Sequence, residues 1–373
     1  MQPLSGIRVL DFTTLLPGPL ATLMLAEAGA EVIKIERAEG EDMRRFSPVV
    51  GGQSAPFAAL NGGKQSVSAD LKNADDIARL KVLIAEVDIV IEQFRPGVIE
   101  RLGLGYDDAR KLNPRLIYCS ISGFGQTGPR SGEAGHDINY QALGGLLSLS
   151  PGTPDAPNVS PALTCDIAGG ALPAVINILL ALRQRDVTGE GCRLDIAMTD
   201  AAFTFAVLAL SGAHGSKRNP GAHEAMLAGG DPRYQLYATS DDRFLAVGAL
   251  EAKFWQTFCD AIALPAELRD FARHPEKTRD AIAAIIRAQA SDHWRRAIEP
   301  LDCCATVVRT LDEALADPHF RARGLFDYEA SLGGGAVMQT VLPVAPQFRR
   351  PASERRKVEK MKKLSVIRDT VNI

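Results

Sequence analysis

Apolar positions in the first half of the chain fall into short runs separated by stretches with helical spacing. Residues 7–12 form a compact apolar run rich in β-formers. The Pro17-Gly18-Pro19 break that follows suits a helix start, and the helical composition of 20–27 ends at Gly29. Residues 31–36 alternate as a strand should. A helical period over 75–87 is followed by further strand patterns at 88–92, 116–121 and 193–198. Apolar helices are expected over 141–149, 166–186 (kinked at Pro173) and 200–210, and the polar, glycine-containing stretch 40–61 reads as a long loop. Strands alternating with helices predict an α/β fold with a mostly parallel sheet and right-handed crossovers.

The pattern changes at 211–231, where Gly, His and Ala crowd together without a period. This stretch is expected to be a linker or lid. A fresh strand pattern at 244–248 and helices through about 300 predict a smaller α+β domain over 232–325. The large Rossmann-like domain is then 1–210, completed by 326–373, with a charged segment at 349–363.

Composition narrows the class. With 373 residues and 46% hydrophobic content, the chain can bury a large core in two domains. A net charge of -3 argues against non-specific nucleic-acid binding as the main activity. No uninterrupted apolar run of about 18 residues is present, so no membrane span is expected. The N-terminus lacks signal-peptide features, and the six cysteines contain no C-x-x-C pair, so reduced thiols, no bound metal and a cytoplasmic location are expected.

The strongest candidate chemistry is Gly135-His136-Asp137-Ile138-Asn139-Tyr140. It places a histidine and a carboxylate at a helix start, where free N–H groups and the positive dipole end favour anionic species. Asp137 also suits an N-cap, and Gly135 would allow a ligand to approach the backbone closely. Asn139 and Tyr140 suit either packing or a pocket. Asp166 precedes the next apolar helix, followed by Gly169 and Gly170, which imply close approach of either a ligand or another helix. Arg37 and Arg95 closely follow predicted strands, where open α/β sheets bind ligands, and Lys64 lies in a loop. The Gly123-Phe124-Gly125-Gln126-Thr127-Gly128 stretch fits a dinucleotide fingerprint in its glycines, but Pro129 and Gly132 favour continued loop. Glu251 reads as an acid at a helix N-terminus, and His319 as structural.

These residues, with Pro3-Leu4-Ser5-Gly6-Ile7-Arg8-Val9-Leu10-Asp11, Phe94-Arg95-Pro96-Gly97 and Arg101-Leu102-Gly103-Leu104-Gly105, resemble the class III CoA-transferase family, which includes α-methylacyl-CoA racemase. The resemblance covers most of the chain. Transferases of the family carry an aromatic residue where His136 stands and use the following aspartate as nucleophile; the stretch here looks like the racemase branch. The resemblance implies a racemase or epimerase of 2-methylacyl-CoA thioesters, with His136 and Asp166 as the two acid/base groups. It implies that Glu251 orients His136, that Asp137 shapes the site, and that a backbone N–H there meets the enolate. It further implies that Arg37, Ala59, Lys64 and Arg95 hold the CoA, with Gly135 and Tyr140 completing the binding set, and no cofactor beyond the CoA of the substrate. An intertwined homodimer and an acyl-CoA partner follow from the same resemblance. The alternative it leaves open is CoA transfer to a free acid through an Asp137 thioester. Two departures stand out. Gly62 and Gln65 replace residues that are usually arginines, and Pro351-Ala352-Ser353-Glu354-Arg355-Arg356 lacks the usual glycine-and-histidine segment.

Overall fold

The computed structural model describes residues 2–354 and 356–364. The charged segment and the completing stretch 326–373 therefore fall partly outside the described residues, at 355 and 365–373. The chain divides into two compact units: one of residues up to 144, 160–204 and from 321 onward, the other of 145–159 and 205–320. Residues 145–159, expected in the large domain, thus group with the second unit.

The first unit is built on strands β1 (Arg8–Asp11), β2 (Glu31–Glu36), β3 (Gln65–Ser68), β4 (Ile89–Glu92), β5 (Ile117–Ser122) and β6 (Cys192–Ala197). Their order is β6-β5-β4-β1-β2-β3, with the two-residue strand Lys362–Lys363 beyond β3, and every pairing is parallel. The chain starts at the centre, runs outward to β3, then returns to add β4 on the other side of β1. The β1/β4 junction is therefore the topological switch point, where open α/β sheets bind ligands beyond the strand C-termini. All residues of β4 and β5 are buried, as expected of strands covered on both faces.

Helix α1 (Pro17–Glu27) is buried at every position. A helix apolar all round needs cover on several sides. It receives that cover from β1, β2 and the long helix that opens at Thr164. That long element begins as a π-helical stretch, Thr164–Ala171, and continues as an α-helix, Leu172–Thr188, with Pro173 in its first turn. Pro173 lies at the junction of the two stretches and supplies no N–H to the backbone ladder there. Together, Thr164–Thr188 is long and apolar enough to cross a membrane, contrary to the expectation from uninterrupted runs. In the structure one face packs on α1, β5 and β6, while Ile176, Leu179, Leu180 and Val187 are exposed.

Two expectations are corrected. The 40–61 loop contains a short helix, Ala55–Asn61, capped by Ser54, whose Oγ accepts the Phe57 N–H at 3.3 Å. The 200–210 helix is broken: Ala201–Phe205 is followed by Val207–Ser216, which runs into the expected linker. The second unit holds an antiparallel sheet of β7 (Tyr234–Ala238), β8 (Phe244–Gly248) and β9 (Ala305–Val307). Its helices close over a core containing Trp255, Phe258, Ile282, Ile286 and Trp294.

Candidate active site

The loops after β1, β4, β5 and β6 surround a cleft of about 440 Å³ in the first unit. His136, Asn139, Tyr140, Asp166 and Arg95 line it. Helix α2 (Asp137–Leu143) starts at its edge, with the exposed His136 as N-cap. Asn139 Oδ1 accepts the His136 N–H at 3.0 Å, which fixes the backbone entering the helix. Tyr140 Oη donates to the Gly135 carbonyl at 2.5 Å, and its ring meets Phe124 edge-on at 5.4 Å. A Cβ on Gly135 would lie 2.6 Å from the Tyr140 ring, and one on Gly123 2.7 Å away. These glycines thus make room for Tyr140, and the close approach expected of a ligand at Gly135 is made by the chain's own tyrosine.

Asp137 is 5% exposed. Its Oδ1 accepts the Cys165 N–H at 2.7 Å and the Asp166 N–H at 2.9 Å, while Gln141 Nε2 donates to Oδ2. The carboxylate therefore fastens the start of the Thr164 helix to α2. The N–H of Asp137, first in its helix, has no intrahelical acceptor and remains a donor for developing negative charge. Asp166 is half-buried in the same cleft. Burial, and then the Asp137 charge, push its carboxyl up from 3.8 to about 6, with His136 pulling the other way. Gly169 and Gly170 do not admit a ligand: a Cβ on Gly169 would lie 2.6 Å from the Met198 carbonyl, and one on Gly170 3.1 Å from Pro17 Cβ. They serve close packing within the unit. The Gly123–Gly128 loop opens no helix, and the Gln126 N–H is bound by the Asp195 carboxylate at 3.0 and 3.2 Å.

The cleft at the switch point thus combines a histidine with an aspartate raised to about 6. The profile of CoA-transferase family III matches residues 4–356. The chain belongs to CoA-transferase family III. It is 34% identical over 331 residues to alpha-methylacyl-CoA racemase of Mus musculus, covering 87% of this chain and 82% of that protein. It is 32% identical over 356 residues to acetyl-CoA:oxalate CoA-transferase of Acetobacter aceti, covering 92% and 88%. The crystal structure of a CAIB/BAIF family protein from Brucella suis superimposes with a TM-score of 0.82 at 28% identity, covering 100% of both chains. The chain is thus an enzyme of the family III CoA-transferase and racemase group, related at similar identity to both activities.

The residues assigned to CoA by resemblance divide sharply. Arg95 is exposed in the His136 cleft and has no ion-pair partner among the described residues. Arg37 lines a second cleft of about 610 Å³, beyond β1, β2 and β3, where it bonds the Gly40 carbonyl at 2.8 Å and pairs with Asp42. Lys64 is a correction. It is 2% exposed, donates to the Pro19 carbonyl and to Asn61 Oδ1 at 2.8 Å each, and lies 3.6 Å from Asp11. Burial pushes it down to about 7. Enclosed in this way, it has no donor to offer a phosphate in solvent. Ala59 lines neither cleft, and its carbonyl accepts from Thr340 Oγ1 at 3.1 Å. At Gly62 a Cβ would already meet Ala330 at 3.0 Å and Arg356 at 3.1 Å, so the arginine usual in relatives has no room. Arg356 is instead buried against Glu27, with both contacts at 2.6 Å. Glu251 lies in the second unit, exposed at the N-cap of Ala252–Ala261. His319 is exposed in the same unit.

Sequence reasoning missed Gln93 and Leu15. Gln93 accepts the Gly18 N–H at 3.2 Å, which, with prolines at 17 and 19, leaves the first turn of α1 without the free donors of a dinucleotide-binding helix. Leu15 carries no sequence signal: its left-handed φ of 61° is visible only in the structure.

Proposed function

We propose that the enzyme interconverts the (R) and (S) forms of 2-methylacyl-CoA thioesters by exchanging the α-proton through an enolate. The reading rests on one observation: His136 and Asp166 face the same cleft while the Asp137 carboxylate is engaged internally. One group removes the α-proton, its electron pair moves onto the thioester oxygen, and the other group returns a proton to the opposite face. An aspartate raised to about 6 can hold a proton to deliver as well as take one up, as a group on one face of the enolate must. The Asp137 N–H is the donor for the enolate oxygen. The same resemblance extends the proposal to a homodimer, which sedimentation velocity tests.

The experiment is incubation of an (S)-2-methylacyl-CoA in D2O with no acid acceptor. Deuterium at the α-carbon and loss of optical purity are expected; no exchange across a panel of branched thioesters overturns the reading. The Acetobacter aceti relative favours a second reading, CoA transfer through Asp137. The carboxylate would attack the donor thioester and expel CoA thiolate to give a mixed anhydride. The thiolate would then attack the aspartyl carbonyl, releasing the donor acid and leaving an aspartyl-CoA thioester. To do so the carboxylate must give up either the Gln141 amide on Oδ2 or the Cys165 and Asp166 N–H groups on Oδ1. Hydroxylamine-sensitive labelling of Asp137 would establish it, and retained turnover in Asp137→Ala excludes it.

A further inference from the structure

The two clefts at the sheet edge share a boundary. Thr14 lines the Arg37 cleft, Leu15 and Leu16 line the His136 cleft, and Phe94 lines both. The saddle between them is therefore made by the loop after β1 on one side and the loop after β4 on the other. Each side is held by a buried carboxylate through a main-chain N–H. Glu41 Oε2 accepts from Leu15 at 2.8 Å, and Glu92 Oε2 accepts from Phe94 at 2.8 Å.

The Leu15 side needs holding, because φ of 61° is a conformation that side-chain-bearing residues avoid. Glu41 is 3% exposed and is itself fixed. Its second oxygen lies 3.1 Å from Lys34 Nζ, and its N–H donates to Glu36 Oε2 at 3.0 Å. Lys34 Nζ in turn donates to the Thr13 carbonyl at 2.7 Å, two residues before Leu15. One buried ion pair thus grips the same loop at two points.

We propose that Glu41 is a positioning residue for the substrate arm: by clamping Leu15 in its left-handed conformation it shapes the saddle that a CoA thioester crosses between the two clefts. The inference rests on the CoA-thioester reading above. A substrate with its thioester beside His136 and its nucleotide beside Arg37 is long and thin at the crossing. A pre-set backbone there lowers the ordering cost of binding it. Glu41 lies in the wall of the Arg37 cleft but is 3% exposed, so its effect is exerted through Leu15.

Two substitutions test this from opposite sides. Leu15→Pro cannot adopt positive φ and removes the clamped N–H while leaving the Glu41–Lys34 pair intact. Glu41→Gln keeps an acceptor oxygen for Leu15 and removes the charge. Calorimetric titration with free CoA is combined with α-proton exchange on a CoA thioester and on its N-acetylcysteamine analogue, which lacks the nucleotide and most of the arm. Leu15→Pro is expected to weaken CoA binding and raise KM for the CoA thioester about tenfold, leaving kcat and the short analogue within about threefold of wild type. Glu41→Gln, which breaks the pair with Lys34 but keeps the acceptor for Leu15, is expected to weaken CoA binding less than Leu15→Pro does. A loss larger than that of Leu15→Pro would place the effect in the charge and not in the Leu15 clamp, overturning the proposal. A folded Leu15→Pro with unchanged CoA affinity, or equal losses on both substrates, overturns the proposal. Wild-type protein that binds no CoA would overturn the substrate reading as well, so the two failures are distinguishable.

Discussion

Two clusters of charge lie in the first unit, and they are wired in opposite senses. Asp11, Lys34, Glu41 and Lys64 are all buried, and each is engaged by a partner inside the unit. Burial alone would push the Asp11 carboxyl up, but the two lysines and the Thr13 and Thr22 hydroxyls bring it below its ordinary value. His136, Asp137 and Asp166 form the other cluster, and only Asp137 is closed off. Asp166 keeps part of its surface, has no side-chain donor among the described residues and rises to about 6. The difference separates scaffold from chemistry: satisfied charges hold backbone in place, and an incompletely satisfied one retains a proton to exchange.

The largest expected effect lies in the open cluster. His136→Ala and Asp166→Asn should each lower α-proton exchange by about 10²–10⁴-fold, with urea midpoints near wild type. A loss below about tenfold in either would remove that residue from the acid/base pair. The closed cluster should behave in reverse. Lys64→Met removes one of the two lysines beside Asp11 and leaves the Pro19 carbonyl and Asn61 Oδ1 without the Lys64 donor. The cost is about 1–3 kcal/mol for each buried group left unpaired, read by urea unfolding. Its CoA affinity, measured on the folded fraction, should stay unchanged; a large loss of affinity at full stability would return Lys64 to the CoA site and break the comparison.

Asp137 stands between the two clusters and sharpens the contrast. Asp137→Ala strands the Cys165 and Asp166 N–H groups, at about 1–3 kcal/mol for each buried donor left without a partner. If its carboxylate is scaffold, exchange survives this loss. The pH profile provides a related measure. Because Asp166 is raised from 3.8 to about 6, its base form is present above about 6 and lost below, so kcat/KM should fall as pH drops through that value. An unperturbed aspartate would hold the rate to about pH 4. Asp137→Asn removes one of the causes of the rise, so the acid limb should move toward lower pH.

The same contrast explains how far the sequence could be read. The strands β1, β2, β4 and β5 announce themselves through apolar runs buried on both faces, whereas the edge strand β6, with Arg193 and Asp195 exposed, shows itself by alternation. β3, Gln65–Ser68, is mostly polar and is a strand through its pairing with β2, so no local pattern marked it. His136 and Asp166 were legible because each opens a helix beside a recognisable neighbour. The fate of Lys64 was not, since its partners Asp11, Pro19 and Asn61 are brought to it only by the sheet order. Gly135, Gly169 and Gly170 correctly signalled close approach, but what approaches is Tyr140, Met198 and Pro17, information held in the tertiary packing.

Tyr140 gives the finest test. Its hydroxyl bonds the Gly135 carbonyl, one residue before His136, and its ring fills the space kept open by Gly123 and Gly135. Tyr140→Phe keeps the ring and removes only the bond. A single hydrogen bond contributes about 1 kcal/mol, so the unfolding midpoint should shift slightly. If the bond also sets where His136 stands, kcat for exchange should fall several-fold while KM for the CoA thioester stays level, because the tyrosine would then act through the histidine's placement. A rise in KM with constant kcat would instead make Tyr140 a substrate contact, as the resemblance alone suggested. That outcome would move it from the scaffold side of the comparison to the open side.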